Sequence, residues 1–267
     1  VKKVKAVSKG ASSAKSATNQ GNSKMSGGRL FIVGGDKGGV GKTTVSRLLV
    51  EYFDEMKRPA RPFDTEFPRG SLARFAPSTT RLIDITTVKS QIELFDSIAS
   101  SPAPHVLDLR AGTFSSVLKT FEDISILEQM REGKLQLFFF HVIGGNYEAL
   151  GEVADAMAQL PIQRHIVVKS HATDPDFVFW HGSDIRAKFL KAGGIELGIP
   201  RLDELVYETV DTNSVPFRSF IANKNAEGRE GNYSLVLRGY CRKWLGEIFS
   251  EFSKLDCLKR ALVRGDE

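Results

Sequence analysis

The sequence predicts a doubly wound α/β fold with a mostly parallel sheet, on three observations. Leu30-Phe31-Ile32-Val33, a glycine-rich segment from Gly34 to Thr44, and Val45–Phe53 with apolar residues at helical spacing read as strand, loop and helix. Beyond them, short apolar runs alternate with amphipathic stretches, without repeats or an internal linker, as in successive βαβ units. The longest apolar run, Lys134 to Ile143, closes on Gly144-Gly145 and reads as a central strand covered on both faces. Sheets of this kind bind ligands outside the carboxyl ends of their strands.

Composition sets the bounds. A chain of 267 residues with 41% apolar content can bury a substantial core. No apolar run approaches the roughly 20 residues of a membrane span, and no signal peptide is visible, so a cytoplasmic location is expected. Two cysteines, Cys241 and Cys257, fall in one expected helix at a spacing too long for a disulfide within it. His105, His141, His165, His171 and His181 show no metal-ligand spacing with cysteine or with one another, which argues against a zinc or iron–sulfur site.

The formal net charge of +5 is concentrated at the start. Residues 1–28 hold six lysines and no acid; the remainder holds 31 basic and 32 acidic residues. The body is therefore no bulk polyanion binder. Residues 1–28 are expected to be a disordered basic tail, with residues 29–267 as a single domain. Two readings of the tail stand. It is a basic arm that touches DNA phosphates, or Met25 is the natural start and residues 1–24 come from an over-long reading frame.

The remaining elements follow in order. Pro59–Asp64 reads as a second strand, Leu82–Ile85 as a short one, and Val88–Ile98 as an amphipathic helix. His105–Leu109 is an apolar strand carrying Asp108 near its end, with Gly112 four residues on. Residues 114–131 are expected as one helix, 147–160 as another, and Arg164–Ser170 as a buried strand. Phe177–Trp180 is aromatic and fits no element clearly, and Ile195–Leu202 reads as a late strand and loop. From Ser234 to Val263 one long helix is expected, with Leu237, Cys241, Trp244, Leu245, Ile248, Phe252 and Leu255 on its apolar side. Such a helix covers a sheet more often than it lies on a membrane.

The glycine-rich segment carries the chemistry. Its glycines let the backbone wrap around oxyanions, and successive N–H groups and the helix N-terminus point at phosphates. Lys42 adds a point charge for the β- and γ-phosphates, and the Thr43 hydroxyl can hold Mg²⁺. The stretch Lys37-Gly38-Gly39-Val40-Gly41-Lys42-Thr43-Thr44 resembles the deviant Walker A motif of the MinD/ParA family of ATPases. The likeness extends over about residues 29–220. It implies a P-loop NTPase of MinD/ParA-like (SIMIBI) topology that uses ATP and Mg²⁺ and forms an ATP-dependent homodimer. Lys37 would then be the lysine that reaches the nucleotide of the partner subunit, while Gly38, Gly39, Val40, Gly41, Lys42, Thr43 and Thr44 cradle the phosphates.

The family's D-x-D-P stretch corresponds to Asp64-Thr65-Glu66-Phe67-Pro68. Glu66 replaces the second aspartate, which positions the attacking water, and the proline is displaced by one. Asp64 and Glu66 are thus the candidate catalytic carboxylates beside Lys37 and Lys42. Asp108-Leu109-Arg110-Ala111-Gly112 resembles the family's Walker B and switch II segment, with Arg110 in place of proline. Asp108 would share Mg²⁺ with Thr43.

Ile199-Pro200 resembles the loop that lies beside the base; Lys169, Ser170 and His171 are further candidates for the adenine. A GTPase base motif is absent, since Asn223-Lys224-Asn225-Ala226 lacks the acid. The layout also resembles TraL-type proteins of conjugative plasmids. The function implied is a slowly hydrolysing nucleotide switch that positions or transfers plasmid DNA or a protein cargo. The alternatives are a catalytically weak nucleotide-binding module and a metabolic P-loop enzyme of the same superfamily.

Overall fold

The strand β1 (Arg29–Gly34) lies at the centre of the sheet because both of its faces are apolar. Leu30 and Ile32 point to one side, Phe31 and Val33 to the other, and all four are fully buried. The computed structural model describes Val1 and residues 29–262, apart from 173 and 175; the basic tail lies outside the described residues.

After β1 come α1 (Lys42–Glu55), β2 (Arg61–Asp64), β3 (Arg81–Leu82), α2 (Val88–Ser100) and β4 (Pro104–Asp108). Next are α3 (Phe114–Asp123), α4 (Ile126–Arg131), β5 (Gln136–Ile143), α5 (Glu148–Gln159) and β6 (His165–Ser170). The chain continues through α6 (Val178–His181), α7 (Asp184–Lys191), β7 (Ile195–Ile199), α8 (Glu204–Thr212), α9 (Phe217–Ile221), α10 (Leu235–Phe252) and α11 (Asp256–Leu262).

The seven strands form one sheet in the order β3-β2-β4-β1-β5-β6-β7. Every pairing is parallel, so the expected mostly parallel sheet is wholly parallel among the described strands. From β1 the chain first runs to the β2 side, returns to β4, then crosses to β5 on the other side. The carboxyl end of β1 is therefore the point where strand order reverses, and a crevice opens there.

The two faces carry separate cores. On one, Phe31, Val33, Phe138 and Phe140 pack with α1 and with Trp244, Ile248 and Phe252 of α10. On the other, Leu107, Leu137 and Phe139 pack with Phe114, Phe121 and Leu127. Truncating one of these buried phenylalanines to alanine costs about 3–5 kcal/mol. The C-terminal segment thus spends its apolar stripe on the sheet, as expected. No helix among the described residues is long and apolar enough to cross a membrane.

Two helical expectations change, and the unplaced aromatic stretch finds its element. The stretch 114–131 is two helices, divided at Ser125, whose φ of 60° breaks the helical path. The stretch from 234 is also two, α10 and α11, which places Cys241 and Cys257 on different helices. Both thiols are free and buried, and burial pushes them up to about 12. In the aromatic stretch Phe177 precedes α6 and Val178–Trp180 belong to it, with Trp180 buried and its Nε1 donating to Glu196 at 2.6 Å.

A buried pair braces α1 from behind. Glu51 accepts the N–H groups of Phe217 (2.9 Å) and Arg218 (2.7 Å) at the start of α9. The Arg47 guanidinium lies 3.4 Å over the Phe75 ring and 4.1 Å from that of Phe217, and donates to the Val215 carbonyl. Burial lowers its pKa to about 10, which leaves it charged at neutral pH.

Candidate functional site

The loop between β1 and α1 occupies the crevice. Gly41, the residue before α1, has φ 96°, and a Cβ there would come 2.9 Å from the Ser170 hydroxyl. Gly39 has φ 72°. Both conformations suit glycine, and together they wrap the loop so that α1 begins at Lys42. The Lys42 ammonium reaches back and donates to the Lys37 carbonyl of its own loop. Only 7% of Lys42 is exposed, and burial lowers its pKa while Asp108, Glu152, Asp36 and Glu66 oppose that shift.

Asp108 ends β4 directly opposite Val33 of β1 and Asp64 of β2 in the sheet register. Its Oδ2 accepts the Thr43 hydroxyl at 2.8 Å and its Oδ1 accepts the Ser46 hydroxyl at 2.8 Å. Thr43 and Ser46 stand three positions apart on α1, so both face β4. Burial and the neighbouring Asp64 push Asp108 up to about 7, against the pull of the two hydroxyls and Lys42. Thr43 hydroxyl and Asp108 carboxylate are hard oxygen donors of the kind Mg²⁺ takes alongside phosphate oxygens. Among the described residues no three His, Cys, Asp or Glu side chains gather as a ready metal cage. The donor set thus fits an ion held jointly with a phosphate.

Asp64 is buried and turned to its own loop. Its Oδ1 accepts Glu66 N–H (2.9 Å) and its Oδ2 accepts Leu72 N–H (2.7 Å) and Ala73 N–H (3.1 Å). It therefore shapes the 65–75 segment. Thr65 ties that segment to the end of β4: its N–H and hydroxyl donate to the Asp108 carbonyl, and the hydroxyl accepts Arg110 N–H at 2.9 Å. Glu66 is exposed and accepts the Ser71 hydroxyl. Lys42, Thr43, Asp64, Glu66, Asp108 and Arg110 line one cavity of about 290 Å³. A second cavity, about 880 Å³, adjoins it at Glu66, Ser71 and Arg110 and also carries Arg69 and Arg74.

Lys37 stands exposed at the mouth of the loop and forms no ion pair among the described residues. Its aliphatic chain lies over Gly144, where a Cβ would approach Lys37 Cδ to 3.2 Å. The adjacent acid does not draw it inward. Asp36 instead turns to α3, accepting Phe114 N–H at 2.8 Å and the Ser115 hydroxyl at 2.6 Å.

On the α1 side a cavity of about 260 Å³ is lined by Gly39, Gly41, Thr44, Ser170, Pro200, Tyr207 and Trp244, among others. Pro200 thus lies next to the loop, its carbonyl accepting Trp244 Nε1 at 2.7 Å. Of the other base-side candidates, Ser170 lines this cavity, whereas the Lys169 ammonium pairs with Glu196 at 3.2 Å and the His171 ring packs 5.3 Å from that of Phe177.

The structure therefore gathers Lys42, Thr43, Asp64, Glu66 and Asp108 around one cavity, with Pro200 on the next. Sequence reasoning missed Ser46, Thr65, Tyr207 and the capping role of Asp36. Ser46 was within reach, since the helical spacing from Thr43 indicates it. Tyr207, whose hydroxyl lies 3.4 Å from that of Thr44, comes from 163 positions away and carries no local signal.

No family model matches the chain. Protein MobD of Acidithiobacillus ferrooxidans is 24% identical to it over 186 residues, 68% of this chain and 81% of MobD. A nucleotide-binding protein of Archaeoglobus fulgidus, solved in complex with ADP, superposes with a TM-score of 0.46 at 16% identity. That match covers 69% of this chain and 86% of the other, and adds nothing to the fold derived above.

Proposed function

We propose that the protein is a nucleotide switch. It binds MgATP at the loop of residues 35–44, hydrolyses it slowly, and dimerises around it to position or transfer plasmid DNA or a protein cargo. The observation that carries this reading is the convergence of Thr43, Ser46 and Asp108 at the start of α1, beside a lysine folded onto its own loop.

In this reading Lys42 leaves the Lys37 carbonyl for the β- and γ-phosphates. Exchanging one neutral acceptor for charged oxygens strengthens its hydrogen bonds. The backbone N–H groups of residues 38–44 supply the rest of the cradle. Thr43 and Asp108 would hold Mg²⁺, which when bound neutralises phosphate charge. The positive charge of a bound Mg²⁺ would oppose the burial that raises Asp108 and favour its ionised form. Glu66 is exposed, accepts the Ser71 hydroxyl and lines the same cavity, which supports assigning it the role of orienting a water. Asp64 acts through the loop it organises. Pro200, Tyr207 and Trp244 border the space for the base and ribose. Lys37 is exposed at the mouth of the loop, and in this reading it meets a second subunit's nucleotide.

The cavity of about 880 Å³ favours one other reading, a P-loop enzyme with a second, anionic substrate held near Arg69 and Arg110. One experiment separates the two. Analytical ultracentrifugation with MgATP and with MgADP, together with phosphate release, should show an ATP-specific dimer and slow release without a second substrate. A protein that stays monomeric with MgATP and releases no phosphate alone would favour the second reading.

A further inference from the structure

The carboxylate of Asp36 sits inside the phosphate loop's sequence yet lies outside its cavity. Asp36 is absent from the lining shared by Lys42, Thr43 and Asp108. All its polar groups are engaged elsewhere. Its carbonyl accepts Gly112 N–H at 2.8 Å, its Oδ1 accepts Phe114 N–H at 2.8 Å, and its Oδ2 accepts the Ser115 hydroxyl at 2.6 Å. Its own N–H donates to Glu152 Oε2 of α5 at 3.0 Å.

These bonds place one residue of the loop on both sides of the turn into α3. Thr113, the residue before that helix, makes no side-chain cap bond. An N-terminus normally receives its cap from that position. Here the cap is supplied by a residue 78 positions away in sequence. The same turn holds Arg110 and Ala111, which line the phosphate cavity. Behind Asp36, Glu152 also meets His141 Nε2 at 3.4 Å, and His141 Nδ1 lies 3.2 Å from His165 Nε2. The Asp36 peptide is thus held from the α5 side while its side chain holds α3.

We infer that Asp36 is a positioning residue that couples the phosphate loop to α3. It clamps the 110–115 turn, so that a change in the loop on nucleotide binding is passed to that helix. The inference extends the nucleotide-switch reading proposed above. A loop carboxylate turned away from the phosphates contributes little to ground-state binding and much to the placement of the turn. It also leaves Lys37 exposed, with no ion pair among the described residues.

The test uses the full chain and four proteins: the parent, Asp36→Ala, Asp36→Asn and Ser115→Ala. Asparagine keeps an acceptor for Phe114 N–H and can donate to the Ser115 hydroxyl, so it is the conservative variant. Amide hydrogen exchange is read first without nucleotide. Asp36→Ala should speed exchange at the Phe114 amide at least tenfold, and Asp36→Asn should restore most of the protection. Exchange that stays at the parental rate in Asp36→Ala overturns the clamp, whatever the protein binds.

The second reading adds MgADP or MgATP. Asp36→Ala should keep its MgADP affinity within about threefold of the parent. It should lose the difference in α3 exchange between the two nucleotides, and turnover should fall at least tenfold with KM little changed. A variant that keeps that difference, or whose affinity falls as much as its turnover, sinks the coupling role. A parent that binds neither nucleotide instead overturns the function proposed above, while exchange without ligand still decides the clamp. Should Asp36→Ala fold poorly, Ser115→Ala removes one of the same bonds and should show the same changes in weaker form.

Discussion

Thr43 Oγ1 donates to Asp108 Oδ2 at 2.8 Å, although 65 positions separate the two residues. One begins α1 and the other ends β4, and only parallel pairing of β1 with β4 brings those ends together. In the proposed function this contact marks the place of a metal-bound phosphate.

Nucleotide binding should depend on Lys42 and Asp108 in different ways. Lys42→Ala should weaken MgATP binding at least tenfold, about 1.4 kcal/mol, in calorimetry. Asp108→Ala should reduce the gain in affinity that Mg²⁺ provides more than it reduces metal-free binding. Equal affinities for the parent and Lys42→Ala would place the nucleotide elsewhere.

Hydrolysis should be slow and should need Glu66. Glu66→Ala should lower the rate of phosphate release while leaving MgATP affinity within about threefold, as a water-orienting group does. Asp64→Ala should instead lower stability, because Glu66, Leu72 and Ala73 would each lose an acceptor. If Glu66→Ala turns over ATP like its parent, the water is oriented by another group.

Lys37→Ala should bind MgATP as a monomer and fail to form the ATP-dependent dimer in sedimentation velocity. A lysine supplied across a two-fold interface acts like an arginine finger given in trans. An Asp36→Ala control distinguishes loss of that contact from distortion of the loop. Dimerisation of Lys37→Ala at the parental strength would leave Lys37 as a solvated charge.

The buried histidines should remove stability on acidification. Burial and the neighbouring Arg61 hold His105 down at about 4, and burial also lowers His165. An unfolded histidine titrates near 6.5, so between these values the unfolded chain binds the extra proton. The contribution is full above about pH 6.5 and is lost as pH falls towards 4, with about 2 kcal/mol gone by pH 5 for His105 alone. Asp108, pushed up to about 7, contributes in the opposite direction over the same range, so the His105 share is read as the difference in pH dependence between the parent and His105→Gln in urea unfolding at pH 7.5 and 5.0. A slope unchanged by that substitution would assign the acid sensitivity to other groups.

Much of the fold was legible because its signals are local. The apolar runs at 30–33 and 136–143 are strands buried on both faces, and they lie side by side at the centre of the sheet. The helix breaks at Ser125 and at Ser253–Leu255 were not legible, since the apolar periodicity runs through both. At Ser125 the break is a single residue with positive φ, which serine's side chain does not announce. In the site, Lys42 and Thr43 follow from the loop's own spacing, and Asp108 from a strand that ends in an acid.

Asp36 and Asp64 show where local reading stops. Each is an acid in a functional segment, and each engages backbone N–H groups with its carboxylate, Asp64 at the cavity's wall and Asp36 outside it. A carboxylate turns to whichever donors the surrounding chain presents, and those donors are set by packing. By itself the sequence determined the strand, loop and helix around Lys42, the alternation that builds the sheet, and the residue types available for phosphate. Tertiary structure alone decided that Asp36 caps α3, that Ser46 shares Asp108 with Thr43, and that Tyr207 reaches Thr44. The physical reason is distance along the chain: spacing governs neighbours within a few residues, whereas contacts across 62, 78 or 163 positions exist only once the sheet has placed its strand ends together.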